Sequence, residues 1–159
     1  MIDFLTEEQI KAIEKWNEDR GNTKYKRELE TSMLKEEFQE FVVAQDLVDK
    51  LDAVADFIFV FVGTLFKTQK DDVDEFEKDS ITKFGLVLID MMLEDLERDL
   101  QKPRKQVEKY VSETLNIVIE ANQQKGNQKD ENGKIIKPKD FMKPEERIQK
   151  EVVEKYGLK

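Results

Sequence analysis

The sequence contains neither cysteine nor histidine. Disulfide bonds and zinc sites built from these two residues are therefore excluded for this chain. The same absence excludes Ser-His and Cys-His catalysis within the chain, and the Glu-x-x-His pairs of di-iron carboxylate bundles. Any chemistry here must consequently depend on carboxylates, lysine, arginine, hydroxyl groups or a metal ion that prefers oxygen ligands.

Charged residues, by contrast, are abundant. They make up 40% of the 159 residues, and the formal net charge is -9, whereas charged residues are usually about a quarter of a soluble domain. The negative charge argues against a nucleic-acid partner. A triphosphate can still bind to an acidic protein if a divalent cation lies between the two anions.

No targeting or membrane segment is predicted. The N-terminal residues MIDFLTEEQI lack the basic and apolar regions of a signal peptide, which predicts a cytoplasmic location. The most apolar stretch, 53–66, contains Asp56 as its only charge and is too short and too interrupted to span a membrane. We therefore expect no membrane partner.

Apolar periodicity predicts an all-α bundle of about five helices over residues 1–124. Thr6 followed by two glutamates marks the first helix start, and Gly21 marks its end. Pro103 indicates the start of the fifth helix. The intervening helices are predicted over about 25–44, 47–69 and 81–100, with a turn at 45–46 and an acidic connection or frayed helix over 70–79.

The stretch 53–66 is rich in β-branched and aromatic residues, so a strand is the competing interpretation. Helical spacing nevertheless continues through its flanks, and this favours a central buried helix. One thin bundle is not expected to cover a helix that is apolar all round, so its phenylalanines also suggest a subunit interface. The residues at helical spacing are Leu47, Leu51, Ala55, Ile58 and Val62.

The C-terminal segment 125–159 is polar and mostly irregular. Asn132 and Gly133 are typical of a hairpin turn, and Ile135–Ile136 could form a short strand beside it. A short peripheral helix is predicted over about 145–156. We expect this segment to close over a site on the bundle.

Two groups of carboxylates lie at helical spacing. Glu36, Glu37 and Glu40 are three or four residues apart and therefore share one face of the second helix. The third helix carries three carboxylates along one stripe of its surface: Asp49, Asp52 and Asp56. A short turn makes these helices antiparallel neighbours, so the two acidic stripes can face each other.

Converging carboxylates repel each other, and burying them without compensation costs more than a fold can offset. A Mg²⁺ ion, which binds carboxylate and water oxygens, would remove this cost. The alternatives remain open on spacing alone. The glutamates could form a solvated helix face, and a lysine or arginine could pair with Asp56.

These motifs resemble the all-α NTP pyrophosphohydrolase superfamily, which includes the MazG proteins, phosphoribosyl-ATP pyrophosphohydrolase and the dimeric dUTPases. The superfamily carries E-E-x-x-E on one helix and E-x-x-D on the next. Glu36, Glu37 and Glu40 match the first motif, and Asp56 matches the last position of the second. Ala53 stands where a Glu is expected, and the form D-A-x-A-D resembles a phage and bacterial MazG-like branch. The fourth ligand is thus either Asp52 or Asp49.

The C-terminal half carries further resemblance to this branch. Asn122 and Lys125 fit an N-x-x-K pair, and Lys134 and Lys137 fit a G-K-x-x-K-P stretch that approaches the nucleotide. Lysine is a natural partner for phosphate. The alternative is a lysine-rich solvated tail without a role in binding.

The resemblance implies a MazG-like four-helix core and a Mg²⁺-dependent hydrolysis of an NTP or dNTP to the monophosphate and pyrophosphate. Mn²⁺ could substitute for Mg²⁺. One or two ions would be held by Glu37, Glu40, Asp52 and Asp56. Glu36 would orient the attacking water or act as base, with Glu37 as the second catalytic candidate. Substrate-binding residues would be Asn122, Lys125, Lys134 and Lys137, with Trp16 and Asn17 framing the base.

The resemblance also implies a homodimer or homotetramer with sites between protomers. Instead of framing the base, Trp16 could be an ordinary core or interface residue. The competing function is a non-enzymatic helical interaction module whose acidic faces meet solvent. A Ca²⁺ or Mn²⁺ binder without catalysis is the third candidate.

Overall fold

The computed structural model describes residues 2–125, 131 and 143–158, and this part of the chain contains helices and no strand. The all-α prediction is confirmed, and the stretch 53–66 is helical rather than extended. The helices are α1 (Glu7–Asp19), α2 (Arg27–Val43), α3 (Leu47–Lys70), α4 (Glu75–Leu100), α5 (Arg104–Gln123) and α6 (Pro144–Ile148), which continues into a π-helical segment (Gln149–Glu154).

Side-chain caps fix several helix starts. Thr6 and Gln9 form a reciprocal capping box at α1: Thr6 Oγ1 accepts from the Gln9 backbone N–H at 3.1 Å, and Gln9 Oε1 accepts from the Thr6 N–H at 2.9 Å. Asp46 caps α3 by accepting from the Asp49 N–H at 2.9 Å. The predicted turn at 45–46 is therefore the cap of the third helix.

The start of α4 differs from the prediction. The sequence predicts an acidic connection or a frayed helix over residues 70–79. Residues 71–74 do connect α3 to α4, but α4 already begins at Glu75. Asp74 accepts from the Glu77 N–H at 2.8 Å, and the acidic side chains of this first turn lie at the positive end of the helix dipole. The acidic run is therefore a connection up to Asp74 and the first turn of α4 from Glu75 onward.

Helix α3 is the centre of the bundle and contacts α1, α2, α4, α5 and α6. Phe57 and Phe61 are fully buried within the single chain, and Phe59 is nearly so. Gly85 of α4 lies so close to the Phe61 ring that a Cβ at Gly85 would be 2.1 Å from a ring carbon. These phenylalanines are therefore no sign of a subunit interface, because the helices packed around α3 already cover them.

The C-terminal helical segment is not peripheral. Ile148, Val152 and Val153 are buried, and α6 packs against both α3 and α5. These apolar side chains recur at helical spacing, so one face of the segment joins the core. The predicted hairpin at Asn132–Gly133 and Ile135–Ile136 lies outside the described residues. Among the helices that the structure describes, none has the length and apolarity that a membrane crossing requires.

Candidate functional site

A cleft lies between α2 and α3 and is completed by α1, α5 and the first residues of α6. Its volume is about 430 Å³, within the range of small-molecule sites. The lining side chains include carboxylates, amides, lysines and apolar groups. They are Trp16, Asn17, Asn22, Met33, Glu37, Asp52, Asp56, Phe59, Val60, Gly63, Lys67, Val118, Ala121, Asn122, Lys125, Pro144 and Glu145.

Helical spacing explains how α2 and α3 present their side chains to this cleft. On α2, Glu30, Met33, Glu37 and Glu40 recur every three or four residues and share one face. The residues of α3 that line the cleft recur at the same spacing, and α3 runs antiparallel to α2. The antiparallel packing of the two helices therefore brings the carboxylates together at the end of the cleft near their connecting turn.

Three of the predicted carboxylates converge. Single oxygens of Glu37, Glu40 and Asp56 all lie within 4.8 Å of one another. Asp52 stands on the same wall one turn before Asp56 and lines the cleft. Among the described residues, the buried oxygens Glu37 Oε2 and Asp52 Oδ1 have no hydrogen-bond partner. Buried carboxylate oxygens without donors are unusual in a folded protein.

Burial also changes the acidity of the cluster. It raises the pKa of Glu37 to about 8, and the negative charge of Glu40 adds to the rise. Burial likewise raises the pKa of Asp52 to about 7, with Glu145 and Glu40 adding repulsion. The pKa of Asp56 is raised well above its ordinary value, again by burial first. The ionised cluster is therefore costly by itself, and the residues fit a divalent cation that would supply the missing positive charge.

In the part of the chain that the structure describes, Lys125 stands near the cluster. Lys125 Nζ donates to Asn122 Oδ1 at 3.2 Å, and its charge acts to lower the pKa values of Asp52 and Asp56. Both pKa values nevertheless remain raised, because burial and neighbouring carboxylates outweigh this lysine. A single cationic partner for Asp56 consequently does not balance the cluster.

Three predicted carboxylates are exposed and do not line the cleft: Glu36, Glu40 and Asp49. Glu40 still directs one oxygen toward Glu37 and Asp56 from the surface. Glu36 is exposed on α2 and influences the cluster through its charge, which adds to the raised pKa of Glu37. Asp49 is exposed near the start of α3, and it is Asp52 rather than Asp49 that lines the cleft. The geometry therefore favours Asp52 over Asp49 beside Asp56.

The predicted substrate-binding residues of α1 and α5 meet at the cleft. Trp16 Nε1 donates to the Asn122 carbonyl at 2.9 Å, and the Trp16 ring packs edge-on against Phe59 with 5.1 Å between ring centroids. Arg20 stacks its guanidinium over Trp16 at 4.2 Å from the ring centroid. Asn17 is buried and also lines the cleft. Lys134 and Lys137 lie outside the described residues, so their role stays a prediction.

Sequence reasoning missed two features of the cleft. Glu145 approaches Asp52 from α6, which only the tertiary packing of the C-terminal segment reveals. Glu30, Thr64 and Lys67 form a bonded group at the far end. The sequence does indicate that Glu30 faces the cleft, because Glu30 lies seven residues, or two helical turns, before Glu37 on the same helix face.

No match to this chain is found among protein-family models, curated proteins or solved structures.

Proposed function

We propose that this protein is a Mg²⁺-dependent nucleoside triphosphate pyrophosphohydrolase, converting an NTP or dNTP to the monophosphate and pyrophosphate. The observation that carries the proposal is the convergence of Glu37, Glu40 and Asp56 beside unpartnered buried oxygens of Glu37 and Asp52. The resemblance of the E-E-x-x-E motif to the all-α NTP pyrophosphohydrolase superfamily supports it.

Glu37, Glu40, Asp52 and Asp56 would hold Mg²⁺, with Mn²⁺ as a substitute. When bound, the cation supplies positive charge to the phosphates and lowers the pKa of a coordinated water. For the catalytic role we favour Glu37 over Glu36, because Glu37 lines the cleft whereas Glu36 is exposed. Glu37 Oε2 is buried without a donor, so it can accept a hydrogen bond or a proton from water in the cleft.

Lys125 would bind phosphate in this proposal, because it lines the cleft near Asp52 and Asp56 and carries a compact positive charge. Asn122 fixes this end of α5: its Nδ2 donates to the Val118 carbonyl at 2.9 Å, and its Oδ1 accepts from Lys125. The side chains of Trp16 and Asn17 stand on the α1 wall, where a base could stack or form hydrogen bonds.

A homodimer or homotetramer also belongs to this proposal. Several large apolar side chains remain exposed on α2 and α4, including Val42 at 57%, Val87 at 58% and Met91 at 49%. Exposed apolar groups of this kind are candidates for a subunit interface. Sedimentation of the purified protein measures the number of chains in the assembly.

The direct test is a panel of ribo- and deoxyribonucleoside triphosphates incubated with Mg²⁺. We expect equal amounts of monophosphate and pyrophosphate from at least one of them, and no turnover when EDTA removes the cation. Products should be separated by anion-exchange chromatography, which distinguishes pyrophosphate from orthophosphate. Absence of turnover across the panel would favour the non-enzymatic interaction module, and release of orthophosphate with a diphosphate would contradict cleavage between the α- and β-phosphates.

A further inference from the structure

The far end of the cleft holds a buried ion pair that the proposed chemistry leaves unexplained. Glu30 is fully buried, and its Oε2 accepts from Lys67 Nζ at 3.0 Å. Its Oε1 accepts from the hydroxyl of Thr64, also fully buried, at 2.6 Å. Both oxygens are thus bonded, and Lys67, with only 12% of its side chain exposed, is fixed at the cleft wall.

This ion pair lies far along α3 from the carboxylate cluster. Lys67 lies eleven residues after Asp56, which is about 16 Å along a helix that rises 1.5 Å per residue. The cleft between them is lined by Met33, Val60 and Gly63. A nucleotide whose phosphates lie against the carboxylate cluster would extend its base toward Lys67.

The Lys67 side chain can donate hydrogen bonds but cannot accept them. An ammonium group carries three N–H donors and no acceptor, and one of these donors is directed to Glu30. Since Glu30 is satisfied by Thr64 and Lys67 together, the ammonium is held in place by a charge-assisted bond rather than by solvent. Its remaining donors can contact an acceptor on a ligand in the cleft.

A fixed acceptor stands on the neighbouring wall. Asn17 Nδ2 donates to the Ile13 carbonyl at 2.9 Å, and this bond determines which side of the amide carries Oδ1. Asn17 Oδ1 accepts one hydrogen bond from Asn22 Nδ2 at 3.4 Å, and an amide oxygen has a second lone pair for a ligand. Asn17 packs directly on Gly63, where a Cβ would lie 2.9 Å from Asn17 Nδ2. Gly63 is one helical turn before Lys67, so the donor and the acceptor are adjacent at this end of the cleft.

We propose that Lys67 and Asn17 select a base with a carbonyl beside a ring N–H, which is the lactam edge of uracil, thymine, guanine or hypoxanthine. Cytosine and adenine present an amino group there, which would oppose the Lys67 donor and leave a buried polar group unpaired. This inference rests on the proposed function, because it assumes that the cleft binds a nucleotide.

The test uses substrate pairs that differ only at this edge: UTP against CTP, and ITP against ATP, each in the ribo and deoxy forms. We expect kcat/KM to be about tenfold or more higher for UTP and ITP. The variant Glu30→Gln/Lys67→Met removes both charges together, because Lys67→Met alone would leave Glu30 buried and unpaired. It should lower kcat/KM for UTP and ITP about tenfold while leaving CTP and ATP unchanged.

Lys70→Met, which replaces an exposed lysine on the same helix, is the matched control and should keep the wild-type preference. Equal use of the paired substrates, a preference for CTP and ATP, or the wild-type ratio in the double variant would overturn the inference.

A binding experiment distinguishes failure of this inference from failure of the proposed function. Thermal shifts of the wild type are measured with UMP, CMP, IMP and AMP in the absence of metal. If no triphosphate is hydrolysed, a shift with UMP and IMP alone still supports lactam recognition, although the pyrophosphohydrolase proposal has failed. Equal shifts, or none with any monophosphate, would overturn the recognition proposal as well. Turnover without a base preference would overturn the recognition proposal alone.

Discussion

Replacing Asp56 with asparagine should lower kcat for pyrophosphate release by about two to three orders of magnitude while leaving the helical fold intact. An amide has nearly the volume of the carboxylate but lacks its negative charge, so it would hold a divalent cation poorly. The loss of a group that acts on developing charge typically has this magnitude. Steady-state rates at saturating Mg²⁺ and substrate, with circular dichroism as the check on folding, measure the effect.

The same substitution should stabilise the metal-free protein. Burial and the neighbouring carboxylates raise the pKa of Asp56 well above its ordinary value, which means that its ionised form is unfavourable in the folded state. Asp56→Asn removes this unfavourable charge, so the metal-free variant should melt above the wild type at about pH 8. The combination of lost activity and gained stability is typical of a functional carboxylate rather than a structural one.

Asp79→Asn is the matched control, because Asp79 is an exposed carboxylate on α4 outside the cleft. It should change neither the turnover rate nor the melting temperature appreciably. Wild-type turnover by Asp56→Asn would show that the carboxylate cluster is not the catalytic centre.

The second large effect concerns pH. The free energy of unfolding of the metal-free protein should decrease as pH rises from about 5 to about 8. The ordinary pKa values of Glu37 and Asp52 are 4.5 and 3.8, and the folded values are about 8 and about 7. Between the ordinary and the folded values, the folded state binds more protons than the unfolded state, so added base favours unfolding.

The size of this effect follows from the raised pKa values. Each pKa unit corresponds to about 1.4 kcal/mol. Solvent screens the charges of these partly exposed groups, so we expect a loss of about a few kcal/mol in the free energy of unfolding across the window. Because the chain has no histidine, no histidine titrates between these pH values. Asp71 and Glu151 have lowered pKa values, so they affect stability near and below their ordinary range instead.

Urea unfolding in EDTA at about pH 5.5 and about pH 8 measures this dependence. In parallel samples without EDTA, Mg²⁺ should restore stability at the higher pH and have little effect at the lower one, because protonated carboxylates do not bind the cation. Glu37→Gln/Asp52→Asn should flatten the profile, whereas Asp79→Asn should not. A wild-type stability that is constant or increases over this window would mean that the cluster is not strained.

Much of the fold was predictable from local signals. Apolar spacing correctly predicted α1, α2, α3 and α5, and Pro103 marked the start of the fifth helix. The error at α4 arose because an acidic run without apolar periodicity resembles a connection, whereas Asp74 caps a helix that benefits from these charges. The buried face of α6 could not be located in advance, since an apolar stripe does not identify the helices it packs against.

Helical spacing predicted part of the carboxylate cluster but not all of it. The spacing of Glu37, Glu40 and Asp56 predicted that they could meet, and the structure brings their oxygens together. Spacing could not choose between Asp49 and Asp52, because both lie on one stripe of α3 and only the packed helices show which one lines the cleft. Lys67 could not be singled out from the sequence, because its partner Glu30 lies on another helix, 37 positions earlier in the chain.

The most direct test of the account is to measure how many Mn²⁺ ions the protein binds, using the loss of the free-ion EPR signal. The titration should include a nucleoside triphosphate analogue that cannot be hydrolysed between the α- and β-phosphates. We predict at least one bound ion per chain in the wild type, and affinity at least about tenfold weaker in folded Asp56→Asn. Failure of the wild type to bind Mn²⁺, or equal binding by the variant, would contradict the assignment of the carboxylate cluster as a metal centre.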